Sequence, residues 1–458
     1  MFLRLSLSSR HSSVDSPEDE KRATGSAITA WLRRAPVPVF TAYCVTAAFF
    51  AYFCMYGFRK PFAVATLSGY VVLPWLGALD LKALFILAQV LGYCASKFLG
   101  IKVVSEIRAS RRAIAILGCI FVAEVGLVLF GALPSPYCAI GMFLNGLPLG
   151  MIWGLVFGFL EGRKVSDFLG AGLSASFILA SGFVKSVGKS TLDAGVGERW
   201  MPALVGLMFA PPLILSVWLL SQVPPPTKED EDARTKRAPM NARERHAFLR
   251  AHAPGLVALV AAYVVLTALR DFRDNFAREL WDALGYGERP AVLATSEIPV
   301  AIGALSGVAL MMVIRDNRKA LLATHALMTA GAVLVLGSTL LFQLGIVGPL
   351  PWMIAVGLGL YVGYVPFNCV LFDRLIATTG SVATAGFLIT FADAFGYLGS
   401  TGLLLGKSLG KPHLPWLSFF QAFSYVGAIT CIVLFAFSAT YFARAARAKP
   451  AVLIAQDR

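Results

Sequence analysis

Residues 37–62 read VPVFTAYCVTAAFFAYFCMYGFRKPF, and positions 37–58 hold no charged side chain. A helix over that stretch is about 33 Å long at 1.5 Å per residue, enough to cross the ~30 Å apolar core of a bilayer. Arg59 and Lys60 then stand side by side at its far end. The run predicts a membrane span, and the two cations raise the question of what holds them there.

The rest of the chain follows the same pattern. Of its 458 residues 57% are hydrophobic and only 14% are charged, with a mean hydropathy of +0.71. Soluble domains are about one-quarter charged. Twelve stretches are long and apolar enough to span: 37–63, 79–101, 112–133, 137–160, 167–189, 200–221, 253–276, 290–314, 320–343, 351–373, 382–406 and 416–443. The expected fold class is therefore an all-α integral membrane protein with two six-helix halves, 37–221 and 253–443. Residues 1–36, a linker 222–252 and a tail 444–458 complete it.

Charge sets the orientation. With the N-terminus inside, the cytoplasmic segments carry 27 of the 40 Lys and Arg residues, while the opposite loops GALPSPY (131–137) and GIVGPLP (345–351) carry none. This obeys the positive-inside rule and places both termini in the cytoplasm. It also explains the net charge of +14 without any nucleic-acid partner. The N-terminal 35 residues lack the apolar core expected of a signal peptide; residues 16–34 among them are SPEDEKRATGSAITAWLRR. They read as a short cytoplasmic helix with Ser16 as cap and Pro17 first. The linker, rich in prolines and mixed charges, reads as a solvated connection.

An internal repeat supports the two halves. EIRASRRA (106–113) recurs as VIRDNRKA (313–320) at an offset of 207, each copy following the second span of its half. Two parallel six-helix repeats are the plan of the major facilitator superfamily.

A charge at the centre of a span costs about 2.5–3.5 kcal/mol on insertion scales, so it usually faces a polar cavity. The candidates are Arg59, Lys60, Lys97, Lys185, Lys189, Arg270, Asp271, Arg273, Asp274, Glu297, His325 and Asp393. Lys185 and Lys189, near the far end of their span, are expected to snorkel to the headgroups. His325 is expected to be a hydrogen-bonded packing residue. Tyr52 and Tyr56 precede Arg59 by seven and three residues, and Tyr93 precedes Lys97 by four, so phenols share a helical face with each cation.

Four stretches carry a resemblance to the organophosphate:phosphate antiporters of the major facilitator superfamily, which include glycerol-3-phosphate and hexose-phosphate transporters. They are YFCMYGFRKPF (52–62), YCASKF (93–98), LRDFRD (269–274) and AGFLITFADAFGYLGS (385–400), in matching order through both halves. The resemblance implies that Arg59 and Arg270 face each other and hold a substrate phosphate, with Lys97 adding positive charge. It implies that Tyr52, Tyr56, Tyr93, Tyr364 and Tyr397 line the cavity. It further implies that Lys60 pairs with Asp274 and Glu297 as a latch between the halves. The chain departs from the family in helix four, where GLVFGFLEGR (154–163) follows GMIW without the family's histidine. The loop GIKVVSEIRASRR (100–112) also lacks the family's aspartate-arginine pattern, and helix seven adds Asp271 and Arg273.

The expected function is a secondary transporter, acting as a monomer in a bacterial cytoplasmic membrane. It would move a small anionic, phosphorylated metabolite by alternating access, in exchange for phosphate as the resemblance implies. Two other readings stay open at the level of sequence: a proton-coupled symporter of another organic anion, and a transporter-like receptor for a sugar phosphate. Enzyme and cofactor chemistry have no support. His11, His246, His252 and His413 are scattered, no nucleotide-binding G-x-x-x-x-G-K-[ST] run occurs, and the seven cysteines form no C-x-x-C pair.

Overall fold

The computed structural model describes residues 26–73, 77–160, 163, 166–227, 248–379, 385–410 and 414–448. Its long helices are α1 (Val37–Met55), α2 (Leu81–Glu106), α3 (Arg112–Ala132), α4 (Ala139–Phe157), α5 (Ser166–Asp193) and α6 (Met201–Ser221) in one half. The other half holds α7 (Ala253–Asn275), α8 (Glu297–Val313), α9 (Asn317–Gln343), α10 (Pro349–Cys369), α11 (Ala385–Gly410) and α12 (Trp416–Ala448). Eleven helical segments among the described residues are long and apolar enough to cross a membrane. The helix left out is α5, whose 28 residues carry Lys185, Lys189 and Asp193. The protein is an integral membrane protein by these helices.

Several boundaries differ from expectation for local reasons. The first span leaves α-geometry at Met55 and continues as two 3-10 turns, Tyr56–Phe58 and Pro61–Val64, because Pro61 cannot donate the hydrogen bond that would carry the helix on. A two-stranded hairpin, β1 (Tyr70–Leu73) and β2 (Gly77–Asp80), precedes α2 and was not foreseen. Between the expected spans 351–373 and 382–406 lies a further helix, Leu371–Thr379; residues 380–381 fall outside the described residues. Pro366 frees a backbone carbonyl in α10, and the helix breaks at Val370 just beyond it. Near the N-terminus a short helix, Ala27–Leu32, is capped by Ser26. Ser16, Pro17, most of the 222–252 linker and residues 449–458 lie outside the described residues.

The two halves repeat one another in packing as well as sequence. In the first, α3 and α4 cross at Gly126 and Gly141; a Cβ on Gly141 would stand 2.5 Å from the Gly126 carbonyl oxygen. In the second, α9 and α10 cross at Gly331 and Gly359; a Cβ on Gly359 would stand 2.4 Å from the Gly331 oxygen. Small residues that let backbones touch are how helices associate where no hydrophobic effect operates. The charged repeats also fall in equivalent places, between α2 and α3 and between α8 and α9. Outward faces stay apolar, as Phe121, Leu207, Val333 and Val433 show.

Candidate functional site

The end of α1 is a backbone problem solved by side chains. Carbonyls freed where the helix breaks are capped from the same half: Asn145 donates to Phe58 O (2.9 Å) and Ala123 O (3.0 Å), and Gln89 donates to Arg59 O (3.0 Å). Gln89 also donates to Asn145 Oδ1 at 2.7 Å, which joins the two caps. Arg59 is thus fixed at its backbone, and it is 5% exposed. Its guanidinium lies 3.9 Å above the Tyr93 ring and within 6 Å of the Tyr56 and Tyr397 rings. It has no carboxylate or other acceptor among the described residues, and its Nε is unpartnered.

Arg270, on α7, lies 4.0 Å over the Tyr364 ring and donates to Asp271 at 2.9 Å. Lys97 on α2 bridges the halves to Asp393 on α11 at 2.9 Å, and Asp393 accepts a second bond from Tyr263 OH. These groups lie around a cavity between the halves. Seven of the eight residues expected at a substrate site line it: Lys97, Arg270, Tyr52, Tyr56, Tyr93, Tyr364 and Tyr397. The eighth, Arg59, lies over one of them, Tyr93, and within 6 Å of two more, Tyr56 and Tyr397. Trp153, Phe177, Asn368 and Asp393 also line it and were not assigned there from sequence. Trp153 is the tryptophan of the quoted GMIW motif; for Phe177 and Asn368 the sequence carries no signal beyond their place in a span.

A second group of charges lies one layer away. Asp274 accepts from Lys60, from Lys185 (2.6 Å) and from Ser181. Lys60 also reaches Asn275 Oδ1 at 2.8 Å. Lys82 pairs with Glu279 and donates to Ala63 O, while Arg278 donates to Val64 O at 2.6 Å; the Lys82–Glu279 and Arg278–Val64 contacts cross the halves. Along α2, Lys82 and Lys97 lie on opposite sides of Gln89, by about 10 Å and 12 Å at 1.5 Å per residue. Ion pairs between the halves thus lie on both sides of Gln89 along α2.

Two expectations are corrected. Glu297 does not meet Lys60; it accepts from Arg273 at 2.8 Å within its own half, where Arg273 passes over Gly357 of α10, which also meets Val300 of α8. Lys185 does not snorkel. It is 4% exposed because α5 crosses onto the other half at Gly182, where a Cβ would lie 2.1 Å from Leu293 O. Lys189 pairs with Asp193 one turn on, and His325 packs between Leu321 O and Ser438 Oγ.

Counter-charges are distributed unequally. Lys97, Arg270 and Arg273 each have their own carboxylate, Asp274 is shared by two lysines, and Arg59 has none. The interface between halves thus carries two positive charges beyond its carboxylates.

One family model matches residues 61–445, most of the chain. The chain belongs to DUF5690. It is a family of unknown function. No curated protein matches it. Among solved structures, this DUF5690 chain is similar to a D-xylose-proton symporter, with TM-score 0.58 and 14% identity over 88% of this chain and 97% of the other. It is similar also to a bacterial homologue of the human lysosomal transporter Spinster, in an inward-facing, unoccupied conformation (TM-score 0.56, 12% identity, 90% and 98%). A third likeness is to a mutant of the peptide transporter POT (TM-score 0.54, 15% identity, 90% and 95%). Identities this low establish a fold shared by this DUF5690 member with these transporters, and nothing finer.

Proposed function

We propose that this protein is a secondary active transporter of a small anionic, phosphorylated metabolite, working by alternating access in exchange for phosphate. In this reading twelve helices span a bacterial cytoplasmic membrane, α5 among them, both termini are cytoplasmic, and one chain is the working unit. The observation that carries it is the unpaired Arg59 guanidinium, held by its backbone to one half beside a cavity that also receives Arg270 from the other. Planar guanidiniums grip a phosphate through several charge-assisted hydrogen bonds. Arg59 brings an uncompensated positive charge to the cavity's edge, which suits an anion, and pairs that bridge the halves suit a cavity exposed to one side at a time.

The test is exchange in liposomes that contain the purified protein and are loaded with labelled phosphate. Outside organophosphates and carboxylates are offered to wild type, Arg59→Ala and Arg270→Ala. Efflux that requires an outside anion and both arginines supports the reading. Flux that survives loss of both arginines overturns the phosphate clamp, and binding without flux favours a receptor.

A further inference from the structure

Glu124 lies in the middle of α3 and is not among the residues that line the cavity. Both carboxyl oxygens are buried, and among the described residues neither has a hydrogen-bond partner or a cation. The residue sits in the seam between α3 and α6. A Cβ on Gly206 of α6 would stand 2.4 Å from Glu124 Oε2 and 3.1 Å from the Phe58 ring. The α6 sequence MPALVGLMFAPPLILSVWLLS has no ionisable group at all. On α3 the only other charged residue is Arg112, twelve positions away. The amide that packs nearest from α4, Asn145, is spent on Phe58 O and Ala123 O. Beside the seam, Phe121 and Leu207 are 70% and 55% exposed and face lipid.

An ionised carboxylate in such a place has no counter-charge and no donor among the described residues, a cost of several kcal/mol. The neutral acid avoids it. We propose that Glu124 is a proton-binding carboxyl separate from the substrate cavity, held as the neutral acid and open to lipid-soluble carbodiimides from the membrane. In that reaction the acid proton moves to one carbodiimide nitrogen while the carboxyl oxygen bonds to the central carbon. Acyl transfer to nitrogen then gives a stable N-acylurea, with no atom lost and no redox change. The other carboxylates at the helix interface, Asp271, Asp274, Glu297 and Asp393, face cations and offer no such proton. The adduct also has no room: Gly206 already meets Glu124, so a bulky group there pushes α3 from α6 behind Phe58, next to Arg59.

The test treats full-length protein in liposomes with dicyclohexylcarbodiimide and, separately, with a water-soluble carbodiimide, then maps adducts by mass spectrometry. The expected result is one adduct among the membrane carboxyls, at Glu124, from the lipid-soluble reagent only, with a lowered melting temperature. Glu124→Gln, which preserves the neutral shape, should be unlabelled and keep its melting temperature under the reagent. No adduct at Glu124 in wild type, or labelling by the water-soluble reagent alone, overturns the proposal. The wild-type mapping does not depend on the variant folding, and neither readout depends on which anion is transported.

Discussion

Replacing Asp274 with Asn removes one charge and leaves two lysines facing each other. Asp274 binds Lys60 through one carboxylate oxygen and Lys185, at 2.6 Å, through the other. The amide can accept from one of them only, and it neutralises neither. Removing one partner of a buried pair costs about 3–5 kcal/mol, and the loss of a shared partner belongs at the upper end. At 1.4 kcal/mol per factor of ten, the conformer sealed at this layer loses roughly two to three and a half powers of ten against its open alternative. Spin labels at Ala194 and Glu288, in loops on opposite halves at this end, read the change as a distance distribution in a background cleared of native cysteines. Wild type should give one short distance and Asp274→Asn a dominant longer one. Lys185→Gln leaves Asp274 with Lys60, a balanced pair, so its distribution should stay close to wild type. An unchanged distribution in Asp274→Asn, or equal damage from both variants, refutes the argument from charge sharing.

Tyr93→Ala removes the ring 3.9 Å beneath Arg59, and a desolvated cation–π contact is worth about 2 kcal/mol, so anion affinity measured by thermal shift should fall about thirtyfold while Tyr93→Phe loses far less. Gly359→Ala places a methyl 2.4 Å from the Gly331 oxygen and should lower the melting temperature sharply, whereas Gly402→Ala, which meets nothing within 4 Å, should not. Glu198 lies in the loop before α6: burial pushes its carboxyl up, but hydrogen bonds from the Thr66 and Leu67 amides outweigh this and hold it below the usual carboxylate range. Its stabilisation is then complete above that range and lost as pH falls through the lowered value, so the melting difference between wild type and Glu198→Gln should shrink on acidification.

Span positions were legible because membrane insertion is decided locally, residue by residue, and long apolar runs need no partner to declare themselves. The face shared by Tyr52, Tyr56 and Arg59 was legible for the same reason, since helical spacing is a property of one segment. Pairings between segments were not. Nothing local distinguishes Lys185 from a lysine that reaches the headgroups; only the crossing at Gly182 turns it inward. Glu297 has several cations within reach of a sequence argument, and the choice of Arg273 depends on its passage over Gly357 of α10. Tyr263, which donates to Asp393, gave no signal at all because a buried tyrosine in a span usually just packs.

The caps on Phe58 and Arg59 have a further meaning. In the proposed transporter, because Gln89 and Asn145 tie that backbone to one six-helix body, Arg59 and Arg270 would act as the jaws of a calliper, each riding on its own arm. The gap between them would then measure the angle between the arms, and a rigid anion of a given width would be held by both jaws at one angle only. A narrower ligand would be gripped by a single jaw at every angle, and would ride in the cavity without telling the arms when to turn.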